Sequence, residues 1–392
     1  MFLGAAAKWM KGATLLCIDA VLKWTPKGEP RPDRVLIVRL DAIGDFVLWL
    51  DAVQALVDHY KALGKGAVLV ADATWATWAR ELAIFEEIIP VDIRKFQRSL
   101  LYRYRAGRRI RKLGCTIAVD PTYSRHWLLG DSVIRISGAA ERIGSVGNIS
   151  NLTAWQKRVT DHWYTRLLPA DPSPCMELKR NAEFMRGLGE IDFRARVPQL
   201  NAKSLRIDDA FTLAIADRPY YVLFPGASWH GKRWPISSFV EVAGKLHERT
   251  GWQGVVCGGP FDLELANTLC KLSIAPLLNW AGRTDLSQLA AIFSAARLVL
   301  TNDTSAVHIG AASGVPTVCL LGGGQYGRFM PYQVEQMTDR PLPQAVIHSM
   351  PCFGCNWHCI YERAPEDPAP CVERIKVEDA WHAISNALKF PE

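Results

Sequence analysis

Short β-branched runs that lead directly into amphipathic helices recur along the chain, and this alternation constrains the fold more than any other feature. Residues 35–39 form such a run, and apolar residues at helical spacing follow over 46–57. Further runs at 67–71 and 116–120 flank a helix predicted over 75–82. Because this alternation gives parallel sheets covered by helices, the sequence predicts an α/β protein.

A second strand-and-helix series begins at 220–224, after a less regular, proline-containing stretch over 144–205. The chain has 392 residues, more than the roughly 250–300 at which single cores stop growing. We therefore expect two Rossmann-like domains whose parallel sheets face a central cleft. The expected parts are an N-terminal amphipathic segment (1–30), a first Rossmann-like domain (31–200), a second Rossmann-like domain (201–345), a cysteine-rich loop (346–372) and a C-terminal helix (373–392).

The positive charge of the chain is concentrated in one stretch. The formal net charge is +7, and residues 94–112 contain nine Lys or Arg and no acidic residue. Such a stretch is typical of a solvated helix face, of a surface that binds an anionic membrane or a phosphorylated glycolipid, or of a nucleic-acid site. Nucleic acid is not expected as a partner, because no stacking platform or nucleic-acid motif accompanies the charge.

Residues 1–24 place lysines among apolar side chains and predict an amphipathic helix. The apolar stretch is interrupted by Asp19 and followed by prolines, which is unlike a secretory signal. No run approaches the ~20 apolar residues of a membrane span. We expect a cytoplasmic protein whose helix lies either on the inner membrane leaflet or on its own fold.

Three loops that follow predicted strands carry polar residues, where open parallel sheets bind ligands. The first contains Asp41, Gly44 and Asp45: Gly44 permits a tight turn, and Asp45 is either a helix cap or a functional carboxylate. The second spans 224–235, where Ser228, Lys232 and the neighbouring arginine suit a diphosphate.

The third loop leads from a strand into a helix over 298–321. Asp303, Thr304 or Ser305 is expected to begin the helix, whose free amides favour an anion. Thr304 and His308 lie one turn apart, and His308 is either a structural histidine or part of this site. Residues 322–327 match a dinucleotide fingerprint but are followed by Pro331, so no helix and no NAD site is expected there.

Four cysteines fall within twenty residues: Cys352, Cys355, Cys359 and Cys371. Their thiolates could surround one structural metal ion, zinc by default and iron as the alternative. Disulfides and unligated thiols are the competing interpretations.

Together the three loop motifs resemble the ADP-heptose:lipopolysaccharide heptosyltransferases, an inverting glycosyltransferase family with the GT-B fold. The resemblance spans residues 34–332; its N-terminal signature is matched by Val35 to Asp45, and its donor signature by Asp303 to Thr317. Two positions differ from the family pattern. Asp41 replaces a small hydroxyl residue and adds a second carboxylate on the acceptor side, and Ser305 replaces a glycine.

The resemblance implies a role for each matched residue. Asp45 would be the catalytic base, with Asp41 and Gly44 on the acceptor side. The residues implied to bind the nucleotide-diphosphate sugar are Ser228, Lys232, Glu264, Asp303, Thr304, Ser305 and His308.

As a member of that family the chain would transfer a sugar, by resemblance a heptose, from a nucleotide diphosphate such as ADP to a hydroxyl of a lipopolysaccharide core or related glycan. The acceptor would be an anionic glycolipid, and no catalytic metal would be required. The alternatives are a nucleotide-sugar epimerase of similar fold, a heptosyltransferase that glycosylates proteins, and a non-catalytic membrane-associated binding protein.

Overall fold

A computed structural model describes residues 2–200 and 206–390, and the contacts within it divide the chain into two compact units. The first unit comprises Met1–Phe46, Ala52–Ser173 and Arg180–Phe193. The second comprises Val47–Asp51, Pro174–Lys179 and Arg194–Glu392. Each unit is built on one six-stranded parallel sheet, so the predicted α/β class with two Rossmann-like sheets is confirmed.

The first sheet has the strand order β3-β2-β1-β4-β5-β6. Its strands are β1 (Arg31–Arg39), β2 (Gly66–Asp72), β3 (Glu87–Val91), β4 (Cys115–Asp120), β5 (Glu141–Ser145) and β6 (Arg166–Leu168). The helices of this part of the chain are α1 (Phe2–Lys23), α2 (Ile43–Ala62), α3 (Ala76–Glu81), α4 (Ile93–Phe96), α5 (Leu100–Lys112), α6 (Gly130–Ser137), α7 (Ala154–Asp161) and α8 (Glu177–Leu188).

The second sheet repeats the same order, running β12-β11-β10-β7-β8-β9. Its strands are β7 (Tyr220–Phe224), β8 (Gln253–Val256), β9 (Leu277–Asn279), β10 (Val299–Asn302), β11 (Thr317–Leu320) and β12 (Gln344–Val346). Its helices are α9 (Asp209–Ile215), α10 (Ile236–Thr250), α11 (Leu263–Leu272), α12 (Leu286–Ala295), α13 (Ser305–Ser313), α14 (Pro370–Glu373) and α15 (Val377–Leu388).

In each sheet the strand order reverses at the centre, between β1 and β4 in the first unit and between β7 and β10 in the second. Loops leaving two such adjacent strands diverge to opposite faces of the sheet and leave a crevice at the carboxyl ends. The central strands are almost continuously apolar because both of their faces are buried. The fold therefore provides one ligand-binding edge in each unit.

The N-terminal helix α1 packs against α5 and α6 of its own unit. Asp19 is fully buried and accepts hydrogen bonds from Nε and Nη2 of Arg103, at 2.6 and 2.7 Å. Arg111 donates to the carbonyls of Lys23 and Thr25. The part of the helix whose side chains are described is therefore packed on the protein. The lysines and apolar residues at positions 8–11, on which the amphipathic prediction depends, are not among the described side chains.

The basic stretch 94–112 is not simply a solvated face. Arg103 and Arg111 are buried and hold α1 in place, whereas the other seven basic side chains are exposed: Arg94, Lys95, Arg98, Arg105, Arg108, Arg109 and Lys112. Two of the nine charges therefore serve the fold.

Among residues 2–200 and 206–390, none of the helices combines the length and apolar character that crossing a bilayer requires.

Replacing Ser132 by alanine should lower the free energy of unfolding by about 1–3 kcal/mol, because the buried hydroxyl lies between the Asp19 carboxylate and the Arg103 guanidinium. Chemical denaturation measures the change. Ser150→Ala, on an exposed loop, is the matched control and should leave stability unchanged. Equal stability of both variants would show that the hydroxyl does not support the pair.

Candidate active site

The ligand edge of the second unit is built by the loops that leave β7 and β10. The two strands are paired, with Thr301 opposite Phe224, so the residues following each strand emerge side by side. Lys232 lies in a short 3-10 turn after β7, and Asp303 directly follows β10. The structure therefore brings together two residues that the sequence predicted to share a site.

Lys232 and Asp303 form the electrostatic centre of this edge. The ammonium Nζ of Lys232 lies 3.0 Å from Oδ2 of Asp303 and 3.3 Å from its carbonyl oxygen. It also lies 4.6 Å from the ring centre of Trp357, a cation–π distance. The two charged side chains are only 18% and 9% exposed, so water screens their charges less than at the surface. A fixed ammonium in such a place can bind a diphosphate oxygen.

The loop that carries Lys232 is tied to β10 by Asn302, a residue that the sequence analysis missed. The buried Asn302 side chain donates to the carbonyl of Pro225 at 2.7 Å and accepts from the amide of Trp234 at 3.1 Å. Arg233 donates to the carbonyl of Ala227. The positive charge predicted for Arg233 is thus used to shape its own loop, which leaves Lys232 to face the site.

Helix α13 begins at this edge. Thr304 is its N-cap residue, and Oγ1 of Thr304 accepts a hydrogen bond from the amide of Ala306 at 3.2 Å. Ser305 is the first helical residue, so of the three candidates for the helix start Thr304 provides the cap. The remaining amides of this first turn favour an anion, next to Lys232.

His308 is buried in the following turn. Its Nδ1 lies 2.9 Å from the hydroxyl of Tyr332, and the two rings lie nearly parallel. Burial, with a smaller contribution from the Lys232 charge, lowers the pKa of His308 to about 3. The imidazole is therefore neutral at physiological pH and is suited to positioning rather than to acid catalysis.

The lowered pKa of His308 predicts a pH-dependent stability. As the pH falls below 6.5, the ordinary pKa of histidine, His308 becomes protonated in the unfolded chain. In the folded protein it stays neutral down to about pH 3. This residue should therefore lower the free energy of unfolding by up to about 1.4 kcal/mol per pH unit within that window, and contribute no slope above it. His308→Phe should flatten the dependence between pH 6 and 4 in denaturation curves; an unchanged slope would contradict the buried neutral state.

Ser228 and Glu264, both predicted to bind the donor, are exposed side chains in the loop after β7 and in the first turn of α11. Next to them Asp262 accepts from the amide of Gly259 at 2.9 Å. A Cβ on Gly226 would lie 2.3 Å from the Asp262 carboxyl carbon. Gly226 therefore leaves room for the approach of Asp262 to the loop.

The ligand edge of the first unit contains Asp41 and Asp45. Arg39, fully buried at the end of β1, places Nε 2.6 Å from Oδ2 of Asp41, while its Nη2 lies 3.5 Å from the carbonyl oxygen of Asp45. Ala42 is the N-cap of α2, and Asp45 is its third residue, so Asp45 is not the cap. Gly44 was predicted to permit a tight turn before the helix, but it lies within the first helical turn.

A cavity of about 150 Å³ lies at this same edge of the first unit. It adjoins the ends of β1 and β4 and the loops that follow them. Its lining residues are Leu40, Asp41, Asp120, Thr122, Ser124, His126, Leu129, Gly130 and Asn151. Of the two carboxylates in this lining, Asp120 was not found by the sequence analysis.

The structure gives no support for the metal centre predicted at the cysteine cluster. Cys352, Cys355, Cys359 and Cys371 are free, and the amide of Gly323 lies 3.4 Å from Sγ of Cys371. Within the part of the chain that the structure describes, no three His, Cys, Asp or Glu side chains are arranged to hold a metal ion. A structural zinc or iron ion at these four cysteines therefore stays a prediction.

The cysteine-rich loop instead packs against the glycine run after β11. A Cβ on Gly323 would lie 2.1 Å from the ring of Phe353, and one on Gly324 2.3 Å from the ring of Trp357. The run continues into one 3-10 turn rather than a helix. These glycines make room for the aromatic rings of the loop, one of which is the ring that faces Lys232.

The comparisons with known proteins agree on one family. The sequence model described as "Glycosyltransferase family 9 (heptosyltransferase)" matches residues 156–348. Lipopolysaccharide heptosyltransferase 2 of Salmonella typhimurium is 26% identical over 309 residues, which are 74% of this chain and 82% of the relative. Lipopolysaccharide heptosyltransferase 1 of Pseudomonas aeruginosa is 24% identical over 354 residues, 85% and 89% of the two chains.

Solved structures share the fold over nearly the whole chain. A glycosyltransferase family 9 protein from Veillonella parvula has a TM-score of 0.71 at 18% identity and covers 93% of this chain and 100% of its own. Escherichia coli ADP-heptose lipopolysaccharide heptosyltransferase II scores 0.64 at 18% identity, with 91% and 98% covered. Escherichia coli heptosyltransferase WaaC with ADP-2-deoxy-2-fluoro heptose scores 0.61 at 19% identity, with 90% and 99% covered.

The two sheets and these relatives define the chain as a glycosyltransferase of the GT-B fold. More particularly, residues 156–348 match the glycosyltransferase family 9 (heptosyltransferase) model, and the chain resembles lipopolysaccharide heptosyltransferases over most of its length.

Proposed function

We propose that the chain transfers a heptose from ADP-heptose to a hydroxyl of a lipopolysaccharide core or a related glycan, with inversion at the anomeric carbon. The observation that carries the proposal is the partly buried ammonium of Lys232 beside the first turn of α13, at the strand-order reversal of the second sheet. The names of the relatives support the donor: one solved structure contains an ADP-heptose analogue.

In this mechanism Asp45 takes the proton of the acceptor hydroxyl, which attacks the anomeric carbon on the face opposite the nucleotide. The bond to the diphosphate breaks with its electron pair, so negative charge gathers on the leaving oxygens. Lys232 and the amides beginning at Ser305 stabilise that charge. Ser228, Glu264, Asp303 and the capped helix start are proposed to border the nucleotide and sugar, with neutral His308 behind them.

The proposed place of action is the cytoplasmic face of the inner membrane. Seven exposed basic side chains of the stretch 94–112, four of them on helix α5, would face anionic headgroups, and the exposed Leu100 and Leu101 begin that helix. Each basic residue near such a surface contributes about 1 kcal/mol of attraction. Binding to vesicles with 30% anionic lipid, but not to neutral vesicles, is the expected result, and Arg105→Glu/Arg109→Glu should abolish it.

The function is tested by calorimetry and turnover with a panel of nucleotide sugars that includes ADP-heptose. We expect one nucleotide heptose to bind and to be consumed only when a glycan acceptor is supplied. Conversion of the donor without acceptor would indicate an epimerase instead. Transfer to a polypeptide and not to glycolipid would assign a protein-glycosylating enzyme, and failure to bind any nucleotide sugar would remove the central claim.

A further inference from the structure

The cavity in the first unit has a lining that is polar but contains no lysine or arginine among its nine residues. Two carboxylates, two hydroxyl groups, an imidazole and an amide line it, with two leucines and one glycine. It lies where β1 and β4 end side by side, the position at which open parallel sheets bind ligands. Its chemistry therefore indicates which kind of group can enter.

The cations near the cavity are already committed to carboxylates. The buried Arg39 is paired with Asp41 at 2.6 Å. Arg125 is bonded to Asp161 and lies 3.7 Å from Asp131. No free positive charge from these two arginines is therefore available to an anionic ligand.

The titratable groups at the cavity also offer no positive charge to an anionic ligand. Burial lowers the pKa of His126, so the imidazole is neutral. Burial, and then the nearby charge of Asp131, raise the pKa of Asp120 to about 6. Asp120 is thus largely ionised at pH 7.5 and would repel a second carboxylate or a phosphate. Two further cations are also paired with carboxylates: Lys157 donates to Asp161 at 2.8 Å, and Arg103 donates to Asp19 at 2.6 Å.

Contacts within the first unit fix the position of the Asp120 carboxylate. Its Oδ1 accepts from the amide of Thr122 at 3.0 Å, and its Oδ2 lies 3.3 Å from the hydroxyl of Tyr164. An ionised carboxylate has about four acceptor sites, so further hydroxyl groups can donate to it. The cavity of about 150 Å³ equals the liquid volume of about five waters, enough for the hydroxyl-bearing edge of a sugar.

We propose that this cavity receives an uncharged, hydroxyl-rich sugar residue of the acceptor, with Asp41 and Asp120 accepting hydrogen bonds from its hydroxyls. The proposal rests on the transferase function proposed above. It makes the cavity a specificity site: acidic sugars and phosphorylated sugars are excluded by the two carboxylates, even when the glycolipid carries negative charge elsewhere.

The test uses two synthetic acceptors on the same lipid aglycone, one ending in a neutral sugar and one in the corresponding uronic acid. We expect wild-type kcat/KM to be at least about tenfold higher for the neutral acceptor, because Asp41 and Asp120 repel the carboxylate of the uronic acid. Asp120→Asn should raise the KM for the neutral acceptor by about tenfold while leaving the KM for the donor unchanged. Equal or better use of the uronic acid by wild type would overturn the proposal.

A second variant keeps the test independent of the buried site. Asn151 is exposed at the cavity, and its side chain donates to the carbonyl of Ser124 at 2.8 Å, a bond worth about 1 kcal/mol. Asn151→Lys should therefore still fold and should shift the preference toward the uronic acid by about tenfold. Asp58→Asn, exposed on α2, is the matched control and should change neither KM. An unshifted preference in Asn151→Lys would count against the cavity as the acceptor site.

Failure of the transferase function has a different signature. In that case no nucleotide sugar binds and neither acceptor is used, which overturns the cavity proposal together with the function. Transfer with the opposite acceptor preference overturns the cavity proposal alone.

Discussion

Asp45→Asn should lower kcat for sugar transfer by about 10²–10⁴-fold, the range that a positioned general base contributes. Asparagine has the same shape and keeps the backbone carbonyl that Arg39 contacts, so α2 should begin as before. The donor lies on other residues in the proposed mechanism. The affinity for ADP-heptose, measured by calorimetry, should therefore stay within about twofold of the wild type.

Asp58→Asn is the matched control because it makes the same change on an exposed turn of the same helix, and it should leave kcat unaltered. Asp41→Asn separates the two carboxylates. Asp41 is already engaged by the Arg39 guanidinium at 2.6 Å, so it is the poorer base. Full activity of Asp45→Asn with loss in Asp41→Asn would transfer the role of base to Asp41.

The central strands could be predicted because parallel strands buried on both faces appear as unbroken apolar runs. Strands β1, β4, β7 and β11 all have this character. The edge strands could not be predicted in the same way. β3 contains Pro90, and β6 has only three residues, so neither gives a run long enough to distinguish from a loop.

The site loops were predictable because they follow strands, but the partners within them were not. From the sequence alone, Lys232 and Arg233 are equally good candidates to bind a diphosphate. In the structure Arg233 donates to the carbonyl of Ala227, whereas Lys232 lies beside Asp303. Trp357, whose ring faces Lys232, belongs to a loop far along the chain, and no local sequence pattern indicates this contact. Likewise the Asp19–Arg103 pair joins two helices that sequence analysis assigned to separate roles.

Lys232→Met should lower kcat by about 10²–10³-fold, the loss expected when one group that stabilises developing charge is removed. The affinity for ADP should fall as well, because the ammonium also contacts the ground-state diphosphate in the proposed mechanism. Steady-state kinetics and calorimetry with ADP measure the two effects. Lys245→Met, a partly exposed lysine on α10 that pairs only loosely with Glu241 at 3.9 Å, should change neither.

The loss in Lys232→Met has two parts that a second substitution separates. Removing the ammonium also leaves the mostly buried Asp303 carboxylate without its cation, and that charge then repels a diphosphate. Asp303→Asn in the Lys232→Met background should therefore recover part of the ADP affinity but little of kcat, because the leaving group still lacks its cation. Recovery of kcat in the double variant would mean that the lysine serves only to neutralise Asp303, and the proposed stabilisation of the leaving diphosphate would be wrong.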